Sequence, residues 1–132
     1  MSKGDPPLTT MLIVDDELDM RMLVRVVIEM ANEGLTIVGE AADGNEAIAV
    51  WRDLDGPPVP DVVILDNRMP GLTGLQVAER ILEERPGQLI VLYSAFLDDE
   101  IRARAAELGI VRCVSKHDLE ALPHVIREVT AA

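Results

Sequence analysis

DVVILDNRMPG, residues 61–71, decides how this chain is read. Val62 to Leu65 form a short apolar run bounded by turn residues, which is the pattern of a strand buried on both faces. The run stops on a carboxylate, Asp66, and Asn67, Arg68, Met69, Pro70 and Gly71 follow directly. Pro-Gly marks a turn, so the strand ends there and carries an acid at its C-terminal tip.

The rest of the chain repeats that grammar. TTMLIVDDE places a strand at about residues 9–14, again ending in acids. Leu18, Met22, Leu23, Val26, Val27 and Met30 fall at helical spacing, and Gly34 is the expected stop. LTIVGEA, DVVILD, QLIVLYSA and IVRCVS are further strands. DGNEAIAVWRDL, TGLQVAERILEERPG and DDEIRARAAELG are helices between them. DGPPVP is a loop, because two adjacent prolines suit neither helix nor central strand. DLEALPHVIREV is a last helix, in which Pro123 puts the start at Leu122, or at Asp118 with an irregular first turn. Strand then helix, five times, with no strands close enough for a hairpin, predicts an α/β fold. Its expected form is a doubly wound five-stranded parallel sheet with helices on both faces. One domain is expected over 9–130, after a disordered N-terminal tail over 1–8, with no tandem repeat or second domain.

Composition narrows the function. The 132 residues suit one core, and at 48% hydrophobic the chain is too apolar to be disordered. Aromatics make up only 2%, so the core must come from Val, Leu, Ile, Met and Ala. A net charge of −12 argues against nucleic acid or an anionic membrane surface as a direct partner. No apolar run approaches the roughly 20 residues that span a bilayer, and MSKGDPPLTT has neither the apolar core nor the cleavage pattern expected of a signal peptide. The single cysteine, Cys113, is compatible with a cytoplasmic location. Lysine occurs only at Lys3 and Lys116, so a lysine deep in the chain asks for an explanation.

In a parallel sheet all strand C-termini point to one edge, where ligands bind at the point of strand-order reversal. Asp15 and Asp16 end the first strand, Asp66 the third and Ser94 the fourth, and Lys116 follows the fifth. Carboxylates gathered there repel one another, and a divalent cation relieves that repulsion. Oxygen-only ligands favour Mg²⁺ or Mn²⁺, and Mg²⁺ recruits phosphate oxygens. An ammonium and a hydroxyl complete a site for a phosphoryl group, which carries about −1.5 to −2 charge. The sequence has no GxxxxGK[ST] or GxGxxG cradle for a nucleotide. The phosphoryl donor must then be another molecule, with Asp66 as the attacking nucleophile.

LIVDDE, ILDNRMPGLTGLQ, LYSA and VSK together resemble the receiver domain of two-component response regulators, over about residues 10–129. The resemblance implies the flavodoxin-like strand order 2-1-3-4-5, Asp66 as phospho-acceptor, and Asp15 and Asp16 as the metal-binding pair, with Asp16 the direct ligand. It implies that the backbone carbonyl of Arg68 also binds Mg²⁺, that Ser94 is the switch hydroxyl, and that Lys116 pairs with the phosphoryl group. It implies a histidine kinase or phosphotransfer protein as donor. The face made by the fourth helix, fifth strand and fifth helix would then change its affinity for a downstream partner. Two positions depart from the family pattern. His117 stands where proline usually follows the lysine, which predicts a displaced Lys116 or a strained peptide. Cys113 stands where an aromatic usually reports the switch, and a thiol cannot fill and vacate a pocket as a ring does.

Two other functions share these features. An aspartate-nucleophile Mg²⁺ phosphatase also sets Asp at a strand end, but needs an acid two residues later, where this chain has Arg68. A phosphorylation-independent pseudo-receiver would keep the fold and lose the site. Plainer roles also compete residue by residue. Asp15 or Asp16 could cap the first helix, Lys116 could be solvated, and Ser94 ordinary. Cys113 could be an inert thiol. Trp51 and Tyr93 are most simply packing residues, and His117 and His124 surface groups. Asp98, Asp99 and Glu100 suit a helix N-terminus, and Gly71 and Gly74 suit the turn after Asp66. Beyond Lys116 there is chain for one helix and none for a DNA-reading domain, so a stand-alone receiver or a piece of a larger regulator is expected.

Overall fold

A computed structural model describes residues 8–31, 34–54 and 60–131. The tail expected over 1–8 lies outside them except for Leu8, as does all of the DGPPVP loop but Pro60. The chain order is β1 Thr9–Val14, α1 Leu18–Ala31, β2 Leu35–Ala41, α2 Gly44–Asp53, β3 Val62–Asp66, α3 Gly74–Glu84, β4 Leu89–Ser94, α4 Asp99–Leu108 and β5 Arg112–Ser115. A 3₁₀ turn, Lys116–Ala121, then leads into α5, Leu122–Thr130. All strand pairs are parallel, in the order β2-β1-β3-β4-β5. The parallel sheet is the one expected from its alternating elements, and its strand order is the one the family resemblance implies.

Alternation along the strands divides the interior into two layers. Leu12, Val14, Val63, Leu65, Ile90 and Leu92 point to one side, where Ala47, Ile48 and Trp51 of α2, Val77 and Ile81 of α3, and Ala105 of α4 meet them. Met11, Ile13, Val62, Ile64, Val91 and Tyr93 point to the other, under Val24 and Ile28 of α1 and Leu122, Val125 and Ile126 of α5. Every residue of β3 is buried. Each of its aliphatic side chains contributes about 1.5–3 kcal/mol by leaving water.

Local chemistry sets the helix ends. Asp43 caps α2 by accepting from Glu46 N–H at 2.8 Å. Thr73 and Gln76 form a reciprocal capping box on α3. Asp98 caps α4 by accepting from Ile101 N–H at 2.8 Å, as the acidic run predicts. Pro123 sits in the first turn of α5, so that helix begins at Leu122. The irregular stretch from Asp118 is the 3₁₀ turn, broken by Asp118 at φ −124°, ψ 43°.

Helix α1 differs from what the spacing suggests. Val24 and Ile28 are its buried residues, while Leu18, Met22, Leu23, Val26 and Met30 are exposed. Among the described residues, α1, α5 and Leu119 of the 3₁₀ turn cover this face of the sheet, and α1 buries a narrow arc there and leaves its wider apolar arc outside.

Candidate functional site

β1 and β3 are neighbours, yet the chain leaves β1 for β2 on one side and returns to β3 on the other. The cleft at their C-terminal ends is the reversal point of the sheet. Val14 lies beside Leu65 in register, so the next residues, Asp15 and Asp66, stand side by side there. Asp15 is fully buried, Asp66 is 2% exposed, and Asp16 is open to solvent. One carboxylate oxygen from each lies within 4.8 Å of the others. An all-oxygen donor set with two buried acids and one exposed acid fits a hard divalent cation entering from solvent.

Lys116 joins them. Its ammonium is 2.9 Å from Asp15 Oδ2 and 3.3 Å from Asp66 Oδ1. With His117 in the position after it, Lys116 still reaches both carboxylates. Lys116 opens the 3₁₀ turn, and His117 N–H donates to Ser115 Oγ at 3.1 Å, a bond proline could not make. Burial opposes the Lys116 charge, but the hydrogen bond to Asp15 and the charges of Asp66 and Asp15 overcome that and raise its pKa. Burial first, then the Asp15 charge, pushes the Asp66 carboxyl up to about 6, against the pull of Lys116 and the Arg68 backbone N–H.

Tyr93 is the member of the site that sequence reasoning assigned to packing. Its hydroxyl donates to Asp15 Oδ2, and its ring lies under the Lys116 ammonium, 5.0 Å from the centroid. The local signal was strand alternation alone, which puts residues 11, 13 and 15, residues 62, 64 and 66, and residues 91 and 93 on one face of the sheet; the register then makes Tyr93 the partner of Asp66. Asp15 Oδ1 accepts from Glu17 N–H at 2.8 Å, so both oxygens of Asp15 are engaged.

The remaining candidates sit around this group. Ser94 is buried, and its hydroxyl is turned to its own loop, accepting from Phe96 N–H at 3.2 Å and donating to Phe96 O at 3.4 Å. Arg68 points its backbone N–H at Asp66 and lays its guanidinium over the Phe96 ring, 4.3 Å from the centroid. Cys113 is half-buried against the α2–α4 layer, where burial pushes its thiol pKa up. His124 is exposed and pairs with Glu128 at 2.8 Å.

The turn after Asp66 depends on two glycines. Gly71 has φ 78°, where a side chain is strained. Gly74 brings α3 against β3: a Cβ there would lie 2.3 Å from the Asp66 carbonyl oxygen and 2.8 Å from Asn67 Cα. Both are backbone atoms and cannot rotate away. Gly74→Ala is therefore expected to destabilise the protein by about 2–3 kcal/mol in urea unfolding. An unchanged midpoint would show that α3 does not close on Asp66 in this way.

Known proteins share these features. Residues 11–127 match the family model described as the response regulator receiver domain. The nitrate/nitrite response regulator protein NarL of Escherichia coli (strain K12) is 34% identical over 109 residues, which cover 83% of this chain and 47% of that protein. The chain thus spans about half the length of that relative. Protein CcdB of Bacillus subtilis (strain 168) is 35% identical over 102 residues, covering 77% of this chain and 80% of that protein. A crystal structure of a LuxR-family two-component response regulator from Aurantimonas sp. SI85-9A1 superposes with a TM-score of 0.85 at 27% identity, covering 94% of this chain and 86% of that one. Among the described residues, no helix is long and apolar enough to cross a membrane.

Proposed function

Since the chain belongs to the response regulator receiver domain family of two-component signalling, we propose that it accepts a phosphoryl group on Asp66 and switches a partner surface in response. The observation that carries this reading is Lys116, shared between two buried carboxylates beside a third that is open to solvent. An acid pair held around one ammonium is a site prepared for an incoming anion and a compensating cation.

The donor is a phosphohistidine on a histidine kinase or phosphotransfer protein. The Asp66 carboxylate oxygen attacks phosphorus, a P–O bond forms, and the P–N bond to the donor imidazole breaks. Asp15, Asp16 and Asp66, with the Arg68 backbone carbonyl, are the groups that would hold Mg²⁺, Asp16 being the direct ligand of the first pair. Mn²⁺ suits the same oxygen donors. When bound, the cation offsets negative charge as it gathers on the phosphoryl oxygens. Lys116 leaves Asp15 to pair with a phosphoryl oxygen. Ser94 gives up its bonds to Phe96 and donates to another, drawing in the loop before α4. That shifts a two-state equilibrium and alters the face of α4, β5 and α5; Phe96 in the loop before α4 and Val111 in the loop before β5 are already exposed. We place this chemistry in the cytoplasm, with no nucleic acid or membrane bound by these residues. The only turnover is of the domain's own phosphoryl group.

A phosphatase acting on small esters is disfavoured by Arg68, which occupies the position of the required acid and is stacked on Phe96. Incubation with acetyl phosphate and Mg²⁺ is expected to add one phosphate to the intact protein by mass spectrometry, and chelator is expected to prevent it. Failure to gain mass, combined with no Mg²⁺ binding by calorimetry, would favour the phosphorylation-independent interaction domain.

A further inference from the structure

We propose that Tyr93 is a positioning residue for phosphoryl transfer, whose hydroxyl holds the Asp15 carboxylate and whose ring supports the Lys116 ammonium. The proposal rests on the Mg²⁺ and phospho-acceptor roles set out above. Tyr93 is fully buried on β4, yet it ends in a polar group within a site that needs few donors. Its hydroxyl and the Lys116 ammonium meet the same oxygen, Asp15 Oδ2. Its ring face lies under that same ammonium. Tyr93 therefore touches both halves of an ion pair that must separate when the anion arrives.

The hydroxyl has a defined part in that separation. A carboxylate offers about four acceptor positions. Glu17 N–H occupies one on Oδ1, and Tyr93 and Lys116 share Oδ2. If Lys116 moves away, Oδ2 keeps a donor, and Asp15 is not left buried without a partner. Without the hydroxyl, Lys116 becomes the sole side-chain partner of Oδ2 and is drawn deeper between the carboxylates. Its charge then stands in the space a divalent cation would share. The ring acts separately, giving the ammonium an attractive surface along which to move toward Asp66.

Two variants separate the hydroxyl from the ring. Tyr93→Phe removes only the hydroxyl, and Tyr93→Leu removes the ring as well. Mg²⁺ affinity, measured by calorimetry, is expected to fall about tenfold in both, the loss typical of a group that orients a metal ligand. Phosphate uptake from acetyl phosphate at saturating Mg²⁺ is expected to slow in Tyr93→Phe, because Asp15 loses a donor as Lys116 departs, and to slow further in Tyr93→Leu, which also loses the ring under the ammonium. A packing role alone would lower the melting temperature and leave Mg²⁺ affinity unchanged. Unaltered Mg²⁺ affinity in Tyr93→Phe, with wild type binding normally, overturns the proposal while leaving the phospho-acceptor reading intact. Absence of Mg²⁺ binding in wild type removes that reading and the proposal together. Should either variant be too unstable for calorimetry, the rise in its melting temperature with added Mg²⁺ reports the same affinity.

Discussion

Asp66→Asn is expected to take up no phosphate from acetyl phosphate under conditions that load the wild type, and to be the more stable protein above pH 6 in chelator. The first outcome follows because an amide is not a nucleophile toward phosphorus, while Lys116 and the other acids remain in place. The second follows from burial. The Asp66 carboxyl titrates at about 6 in the folded protein against an ordinary value of 3.8. The folded state therefore binds this proton more tightly than the unfolded chain does. Its stabilising contribution is complete below pH 3.8 and is lost as pH rises through about 6. Above that, holding Asp66 ionised beside Asp15 costs on the order of 2–3 kcal/mol. Asn has nearly the same shape and carries no charge, so it removes that penalty. Urea unfolding should show the variant ahead at about pH 8 and the difference gone at about pH 4. Phosphate uptake by the variant at the wild-type rate would exclude Asp66 as acceptor. A variant less stable than wild type at the higher pH would mean that Lys116 more than compensates the two acids.

The second large effect belongs to Lys116→Met, which keeps the aliphatic stem and removes the charge. Lys116 is 11% exposed at its side chain and faces two buried carboxylates. Removing one member of a buried ion cluster leaves the others uncompensated, at a cost of about 3–5 kcal/mol. The loss is expected in chelator at neutral pH. It should shrink as pH falls toward about 6, because without the pull of Lys116 the Asp66 carboxyl takes up its proton at higher pH in the variant than in the wild type. Mg²⁺ should recover much of it, because the ion supplies the positive charge that the ammonium no longer gives. The Mg²⁺-induced rise in melting temperature should thus be larger in Lys116→Met than in wild type. Equal stability of the two proteins in chelator would show that the amine is dispensable to the charge balance.

Asp66 and Lys116 are both legible in the chain itself. Asp66 stands out because an apolar run breaks on a carboxylate, and Lys116 because lysine is scarce in this chain and one stands just beyond the last strand. Tyr93 does not stand out, since one aromatic in an apolar strand is usually core. Its hydroxyl matters only because β4 lies beside β3 in the register that sets Tyr93 next to Asp66, 78 positions from its acceptor Asp15. Ser94 shows the opposite case. Its place at a strand tip is local information, but the direction of its hydroxyl toward Phe96 depends on the path of the loop.

The strand–helix order, the turns and the acids at the strand tips were determined by the sequence alone, because alternation, helical spacing and Pro-Gly punctuation act over a few neighbouring residues. Only the tertiary structure decided which arc of α1 faces the sheet, that Lys116 is shared by Asp15 and Asp66, and that Tyr93 completes their cluster. Those relations join segments far apart in the chain. They arise from strand register and from the number of helices covering each face of the sheet, neither of which leaves a periodic mark on the local sequence.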